Sequence, residues 1–159
     1  MATVPADLVD FLEGGVSILV GTCDAERRPH VARAAGAALS PERTAMTIYL
    51  HETWAAQALA NLRAHPEIAV GFSRPLDHLA LQLKGTCTRF LSPEEGDRSV
   101  VDRYHAIYGE QLYLVGFPRS LTKRLILWPA IGVTFGIRDI FLQTPGPEAG
   151  KRFDEAAAR

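Results

Sequence analysis

The chain has 159 residues, of which 47% are hydrophobic and 22% are charged, and this balance excludes an intrinsically disordered protein. Seventeen basic residues against 18 acidic residues give a formal net charge of -1, so the chain has no overall charge attraction to nucleic acid or to an anionic membrane. The two cysteines form no CxxC pair and the five histidines lie at no metal-binding spacing, so we expect no metal site.

The length predicts a single domain, with residues 1–142 forming the folded unit and residues 143–159 a Pro/Gly-rich tail. The first residues lack the basic start and apolar run of a signal peptide. No apolar segment approaches the roughly 20 residues that a membrane-spanning helix needs. We therefore expect a cytoplasmic protein that binds a small molecule and contacts neither membrane nor nucleic acid.

The first third of the chain predicts a short helix followed by three strands. Leu8, Phe11 and Leu12 share one helical face, and two glycines then end that helix. Apolar segments separated by turn residues follow, which is the pattern of antiparallel strands. The predicted elements are a helix over 5–13 and strands over 16–23, 30–39 and 45–52.

The strand predicted over 30–39 has unusually small side chains, since most of its residues are alanine or glycine. Small residues in a strand indicate that something large approaches the backbone closely. Two explanations fit the pattern equally well: tight packing inside a small barrel, or a planar ligand lying against the strand.

The rest of the chain predicts three further strands with helices between them. Thr53 is a favourable N-cap for a helix over 54–64, and Gly85 is expected to introduce a bend or bulge in the long strand over 78–91. The Ser92-Pro93-Glu94-Glu95 segment is typical of a helix start. The predicted elements are strands over 68–72, 78–91 and 131–137, the last extended or hooked by 139–142, a helix over 92–109 and a helical turn over 121–128.

The order of these elements and four short motifs resemble the FMN-binding split-barrel family that pyridoxamine 5′-phosphate oxidase typifies. Two further segments, Gly116-Phe117-Pro118-Arg119 and residues 143–147, resemble those of an uncharacterised bacterial branch of that family. The four motifs are Thr22-Cys23-Asp24, Pro29-His30-Val31-Ala32-Arg33, Ala60-Asn61-Leu62-Arg63-Ala64-His65-Pro66 and Leu83-Lys84-Gly85-Thr86.

The resemblance implies a mainly β fold with inserted helices: an antiparallel split β-barrel of about six strands that forms a homodimer. It also implies FMN at the subunit interface, with its phosphate held by an arginine on the second strand and by residues where the third strand meets its helix. Arg33 matches the arginine position. The family's serine or threonine and its lysine fall on Ala56 and Ala58, so these two phosphate contacts are missing.

Four other residues are candidates to replace the missing contacts. Thr53 would offer its hydroxyl together with free backbone N–H groups at the helix start, since such groups bind anions. Gln57 and His51 lie beside it in sequence, and Lys84 on the facing strand would contact the ribityl chain or the ring. The basic residues Arg119, Lys123 and Arg124 are either a second phosphate cluster supplied by the partner subunit or a solvated helix end.

Aromatic residues add two open alternatives. Tyr104, His105 and Tyr108 lie on the long predicted helix, where they would either hydrogen-bond a flavin or form a half-buried helix face. Trp54 and Trp128 would stack on a flavin ring or pack in the core or an interface. No residue stands out as a catalytic acid or base.

The chain lacks GxSxG, Walker and GxGxxG motifs, which excludes the common serine hydrolases and nucleotide-triphosphate enzymes. The predicted function is an FMN-dependent oxidoreductase acting on a small molecule. The alternative is a binding protein on the same fold, either without catalysis or with haem or a deazaflavin in place of FMN.

Overall fold

The computed structural model describes residues 1–153. A short 3-10 helix at Ala6–Leu8 precedes the named elements. These elements, in chain order, are α1 (Val9–Leu12), β1 (Ser17–Cys23), β2 (Pro29–Arg33), β3 (Ala37–Leu39), β4 (Ala45–His51), α2 (Ala56–Ala64), β5 (Glu67–Ser73), β6 (Ala80–Leu91), α3 (Arg98–Leu114), α4 (Arg119–Thr122) and β7 (Ala130–Leu142).

The strands form one antiparallel sheet in the order β2-β1-β5-β6-β7-β4-β3. The predicted mainly β fold, an antiparallel sheet with inserted helices, is confirmed. The segment Ala34–Gly36 links the two ends of this sheet: the Ala34 N–H donates to Ile18 O of β1, and the Ala35 N–H donates to Tyr49 O of β4. These bonds curl the sheet, since one short segment touches strands that lie far apart in the strand order.

The core lies on the inward face of the curled sheet. Alternate residues of each long strand point into it, as the period of two requires. In β1 the inward residues are Ile18 and Val20, and both are fully buried. The largest buried side chains elsewhere in the core are Phe72, Phe135, Leu12, Met46, Ile48, Leu50, Leu62, Leu81, Leu83 and Ile137.

The sheet has seven strands in the described residues, where the sequence predicts about six. The single strand expected over 30–39 divides into β2 and β3. Gly36 lies between them with φ +145°, a conformation that side-chain-bearing residues rarely adopt. The small-sided arm therefore crosses from β1 to β4 instead of continuing as one strand.

Three predicted helix boundaries are wrong. The 92–109 helix begins at Arg98, because Asp97 caps it through a 2.9 Å bond from the Ser99 N–H, while Ser92 and Glu95 close a separate turn. The helix predicted from Trp54 begins at Ala56, so Thr53 is not its cap. The helical turn predicted over 121–128 is α4, which ends at Thr122.

Two other expectations about strands are confirmed. The pairing of β6 with β7 shifts register between Lys84 and Gly85, which is the predicted bulge. A Cβ at Gly85 would lie 2.0 Å from Gly136 O, so the bulge requires glycine. The last strand continues through Leu142 as a single element.

The segment after β7 folds back onto the sheet. The Gln143 N–H donates to Ala80 O, and the Gly150 N–H donates to Leu142 O. A domain boundary at residue 142 remains a prediction, and the last part of the predicted tail, 154–159, lies outside the described residues. None of the helices within residues 1–153 combines the length and apolar character needed to cross a membrane.

Candidate functional site

Arg33 ends β2 on the outward face of the sheet and reaches α3. Its Nη1 donates to Tyr108 Oη at 2.9 Å, and its Nη2 donates to Ser17 Oγ at 3.3 Å. The guanidinium also lies 5.4 Å from the centre of the Tyr108 ring. The side chain remains exposed. Arg33 is thus held by neutral groups at the junction of β2 and α3, with one side open to solvent.

The corner between β4 and α2 is arranged around His51. This histidine is 9% exposed, and its Nδ1 accepts from the Thr53 N–H at 3.2 Å and from the Trp54 N–H at 3.4 Å. The Ala55 N–H donates to His51 O, and the Ala56 N–H donates to Thr53 O. The four N–H groups of residues 53–56 therefore already have acceptors inside the protomer, whereas the Gln57 and Ala58 N–H groups in the first turn of α2 have none among the described residues.

The indole of Trp54 stacks on the His51 ring, with 4.3 Å between ring centres and 16° between ring planes. Trp54 is 62% exposed, so only one face of its ring is covered. Trp54 is therefore not packed in the core. The arrangement leaves an oriented aromatic surface beside the corner.

Gln57 belongs to a hydrogen-bonded chain that ties α2 to β1. Its Nε2 donates to Asn61 Oδ1 at 2.8 Å, and Asn61 Nδ2 donates to Thr22 Oγ1 at 3.1 Å. Asn61 and Thr22 are buried, so this chain satisfies polar groups in the core. Gln57 itself is exposed at the outer end of the chain.

Lys84 lies on the same outward face of the sheet as Arg33. The register pairs Arg33 with Leu19, Leu19 with Gly71 and Gly71 with Gln82, and Lys84 follows Gln82 by two residues. Three strand spacings separate β2 from β6, which amounts to roughly 14 Å. The Lys84 Nζ lies 4.7 Å from the centre of the Phe141 ring.

The surface between Arg33 and Lys84 is built from small residues. Gly21, Ala69 and Gly71 point outward there, so the backbone of β1 and β5 forms a nearly flat floor. Beside it, Leu19 is 46% exposed and Val31 is 61% exposed. Arg33 and Lys84 are too far apart to hold one phosphate together, but they flank a surface on which a longer planar ligand can lie.

The structure therefore places the five predicted cofactor residues in three groups. His51 and Thr53 are in direct contact at the corner, and Gln57 lies on the helix that starts there. Arg33 is bonded to α3, and Lys84 stands across the outward face.

The alanine-rich arm packs against helix α3. A Cβ placed at Gly36 would lie 3.4 Å from Tyr104 Cβ, from Val100 Cγ1 and from Val100 O. Ala35 packs in a small buried cluster with Val100 and Val101. The small side chains of this arm allow helix α3 to approach closely. Packing against α3 therefore accounts for the small residues of this arm.

Tyr104 and Tyr108 are the residues near Arg33 that sequence reasoning did not connect with it. Their rings stack with 5.3 Å between centres and 10° between planes, because they lie one helical turn apart. Burial raises the pKa of the Tyr104 hydroxyl well above its usual value. Their spacing on the helix was visible, but nothing in the sequence indicated which strand they meet.

The basic residues after α3 are arranged differently from the predicted cluster. Arg119 donates to both carboxylate oxygens of Glu110, at 2.9 and 2.7 Å, and its guanidinium lies 3.4 Å from the Tyr113 ring centre. This bonding lowers the pKa of Glu110. In the protomer, the charge of Arg119 is thus compensated by Glu110.

An antiparallel sheet curled by a crossing segment, with inserted helices and an arginine at the end of the second strand, defines the split β-barrel class. The pyridoxamine 5′-phosphate oxidase family profile matches residues 4–132. The chain belongs to this family. No curated protein sequence matches the chain.

Solved structures with low sequence identity share the fold. HupZ from Group A Streptococcus is 17% identical, with a TM-score of 0.58 over 93% of this chain and 100% of its own. An F420 reductase is 16% identical, with a TM-score of 0.59 over 86% of this chain and 98% of its own. An FMN-binding protein from Syntrophomonas wolfei is 15% identical, with a TM-score of 0.50 over 85% of each chain.

Proposed function

We propose that this protein binds FMN on the outward face of the sheet and acts as a flavin-dependent oxidoreductase on a small molecule. Family membership supports a flavin ligand, and one of the structural neighbours is an FMN-binding protein. The proposal rests on the charge of Arg33, which is not compensated by a neighbouring carboxylate among the described residues. Its side-chain partners are the Tyr108 and Ser17 hydroxyls, so in the part of the chain that the structure describes its positive charge meets no carboxylate.

Several other arginines of the chain are paired with carboxylates. Arg74 pairs with Asp77, and Arg138 pairs with Glu67 and Asp139. An exposed arginine held by neutral hydroxyls keeps its full charge and fork geometry for an incoming anion. A phosphate group is the anion that FMN presents.

The residues on this face suit the two ends of the cofactor. Arg33 would hold the phosphate, and Lys84 would contact the ribityl chain or the ring across the small-residue floor. The contact predicted for Gln57 remains a prediction, whereas His51 and Thr53 are bonded to each other at the corner and are not assigned to the cofactor in this proposal. Bound flavin would supply the hydride chemistry, while the protein positions it and excludes competing reactions.

We also propose that two copies of the chain pair through this outward face. Leu19 and Val31 expose apolar surface there, and a second copy would cover both of them together with the floor. A slot between two such faces would shield a planar ring from water. Size-exclusion chromatography with light scattering should give a dimer, and a monomeric Val31→Asp variant would place the interface here; an unchanged dimer would place it elsewhere.

The absorption spectrum of the freshly purified protein tests the cofactor directly. We expect a yellow preparation that releases FMN on denaturation, or a colourless one whose melting temperature rises when FMN is added. A colourless protein with an unchanged melting temperature in saturating FMN would overturn the proposal. Reduction of the bound flavin by candidate donors, followed at its visible band, would then test the oxidoreductase activity.

The second candidate is a binding protein for a different planar ligand, such as haem or a deazaflavin. The alanines at positions 56 and 58 favour it, because they remove a hydroxyl and a cation from the family's phosphate site. The same spectrum separates the candidates. A Soret band would indicate haem, and a flavin spectrum would exclude this alternative.

A further inference from the structure

The hydroxyl of Tyr104 is buried without a hydrogen-bond partner among the described residues. The residue is 3% exposed. Leaving a buried donor unpaired is unfavourable, and native proteins rarely do so without a reason such as a bound ion, ligand or water. This hydroxyl, with the Arg33 guanidinium acting on it, therefore marks a position for an oxygen atom of a ligand or of a bound water.

The Tyr104 side chain lies beside the guanidinium of Arg33. The stacked neighbour Tyr108 accepts the Arg33 Nη1–H through its Oη, which leaves the Tyr108 hydroxyl proton available to donate. Burial raises the pKa of Tyr104, so its hydroxyl stays protonated at neutral pH and acts as a donor. One cation and two hydroxyl donors thus lie together at the β2–α3 junction.

A cavity of about 20 Å³ lies against these three side chains. A space of roughly 10–15 Å³ accommodates one water-sized atom group, so this cavity has room for a single oxygen atom. Leu125 and Leu127 supply apolar walls. None of its lining residues within 1–153 is an aspartate or a glutamate.

His105 also lines this cavity, but its donor is already used. Its Nε2 lies 2.7 Å from Thr122 O, and because a carbonyl only accepts, this nitrogen carries a proton that it donates to Thr122. The donors that line the cavity are therefore the Arg33 guanidinium and the two tyrosine hydroxyls, which favour an oxygen of an anion over a cation.

We propose that Tyr104 and Tyr108 complete the phosphate site of Arg33, in place of the hydroxyl and the lysine lost at Ala56 and Ala58. This inference rests on the proposed function, because it names the residues that receive the phosphate of FMN. The tyrosines come from helix α3, not from the strand-to-helix corner. In this chain, helix α3 would supply the phosphate contacts that the strand-to-helix corner lacks.

The experiment compares the binding of FMN with that of riboflavin, which has the same ring and ribityl chain but no phosphate. Both ligands are titrated into the protein by flavin fluorescence. In Tyr104→Phe and in Tyr108→Phe, the affinity for FMN should fall about tenfold, while the affinity for riboflavin stays unchanged. Tyr113→Phe is the matched control, since this tyrosine lies on the same helix but is 45% exposed and packs on Arg119.

The melting temperature without ligand separates a binding role from a structural one. Tyr104→Phe removes an unpaired buried hydroxyl, so the ligand-free protein should be as stable as the wild type or more stable. A lower affinity for FMN combined with an unchanged or higher melting temperature would support the proposal. A tyrosine that only packs would not give these opposite effects.

Three results would overturn the inference, and they are distinguishable. If the wild type binds neither flavin, the proposed function fails and the inference fails with it. If the wild type prefers FMN over riboflavin and both variants keep that preference, FMN binding stands and the tyrosines have no part in it. If the variants lose FMN and riboflavin equally, the tyrosines are structural.

Discussion

The β4–α2 corner and the β2–α3 junction offer an instructive contrast. At the β4–α2 corner, four successive backbone N–H groups are satisfied internally: His51 Nδ1 accepts from two of them, and the next two bond within the turn. At the β2–α3 junction, Arg33 has only neutral partners among residues 1–153, and the Tyr104 hydroxyl has no hydrogen-bond partner there. A saturated region is stable without a ligand, whereas an unsaturated one is arranged to receive it. Four variants test this difference.

The largest effect is expected for Arg33→Ala. Removing a charge-assisted hydrogen bond to a phosphate costs about 1.5–3 kcal/mol, or roughly 10- to 150-fold in the affinity for FMN. Arg27→Ala, at an exposed turn, should change the affinity very little. Equal retention of FMN by both variants, measured by fluorescence titration, would remove Arg33 from the site.

Gly36→Ala should disturb the β2–α3 junction alone. The new side chain would adopt an unfavourable φ of +145° and press on Tyr104 and Val100, at a cost of about 1–3 kcal/mol in the free energy of unfolding. Because α3 must then shift relative to β2, the affinity for FMN should fall together with stability. Urea denaturation and FMN titration check both quantities, and a loss of stability with full affinity would separate α3 from the site.

His51→Phe should have a smaller effect, and on stability alone. The variant keeps the ring that stacks on Trp54 but loses the Nδ1 acceptor, which costs about 0.5–1.5 kcal/mol in the free energy of unfolding. The affinity for FMN should not change, and Thr53→Ala should leave it unchanged as well. If either substitution weakens FMN fivefold or more, the corner belongs to the binding site and the contrast drawn above is wrong.

The smallest effect on stability is expected for Asp77→Asn. Asp77 lies in the turn between β5 and β6, outside both regions, so this variant serves as a reference for them. The hydrogen bond from Arg74 lowers the pKa of Asp77 to about 2. Since the folded-state pKa lies below the unfolded one, the carboxylate stabilises the protein above about pH 4 and loses this effect as the pH falls towards 2. The pair is exposed, so the difference in melting temperature should be small at pH 6 and absent at pH 2.

Secondary structure was predictable wherever a local pattern determines it. The alternation of apolar residues in β1 and β6 is a property of neighbouring residues, and Gly85 marked the bulge because a side chain there would collide with the next strand. Helix starts were predicted less well. The Ser92 signal is genuine, since Ser92 bonds Glu95, but it closes a turn because Asp97 caps the helix further along.

The candidate site was predictable in one of its parts. Arg33 could be singled out because its place on the second strand matches a short motif. Its partners could not, because Tyr104 and Tyr108 follow it by more than seventy residues and meet it only through the packing of α3 on the arm. Likewise, the hydrogen bonds that His51 Nδ1 accepts from the Thr53 and Trp54 N–H groups could not be predicted, because they depend on the ring's orientation in the folded corner.

The sequence by itself determined the strands, the small-sided arm and the family, because these depend on residue order and on short-range sterics. The tertiary structure alone decided what covers that arm, which backbone donors remain free, and which side chains meet Arg33. Those features depend on contacts between segments distant in the chain, and the energy of a hydrogen bond or an unpaired hydroxyl is defined only once both segments are in place.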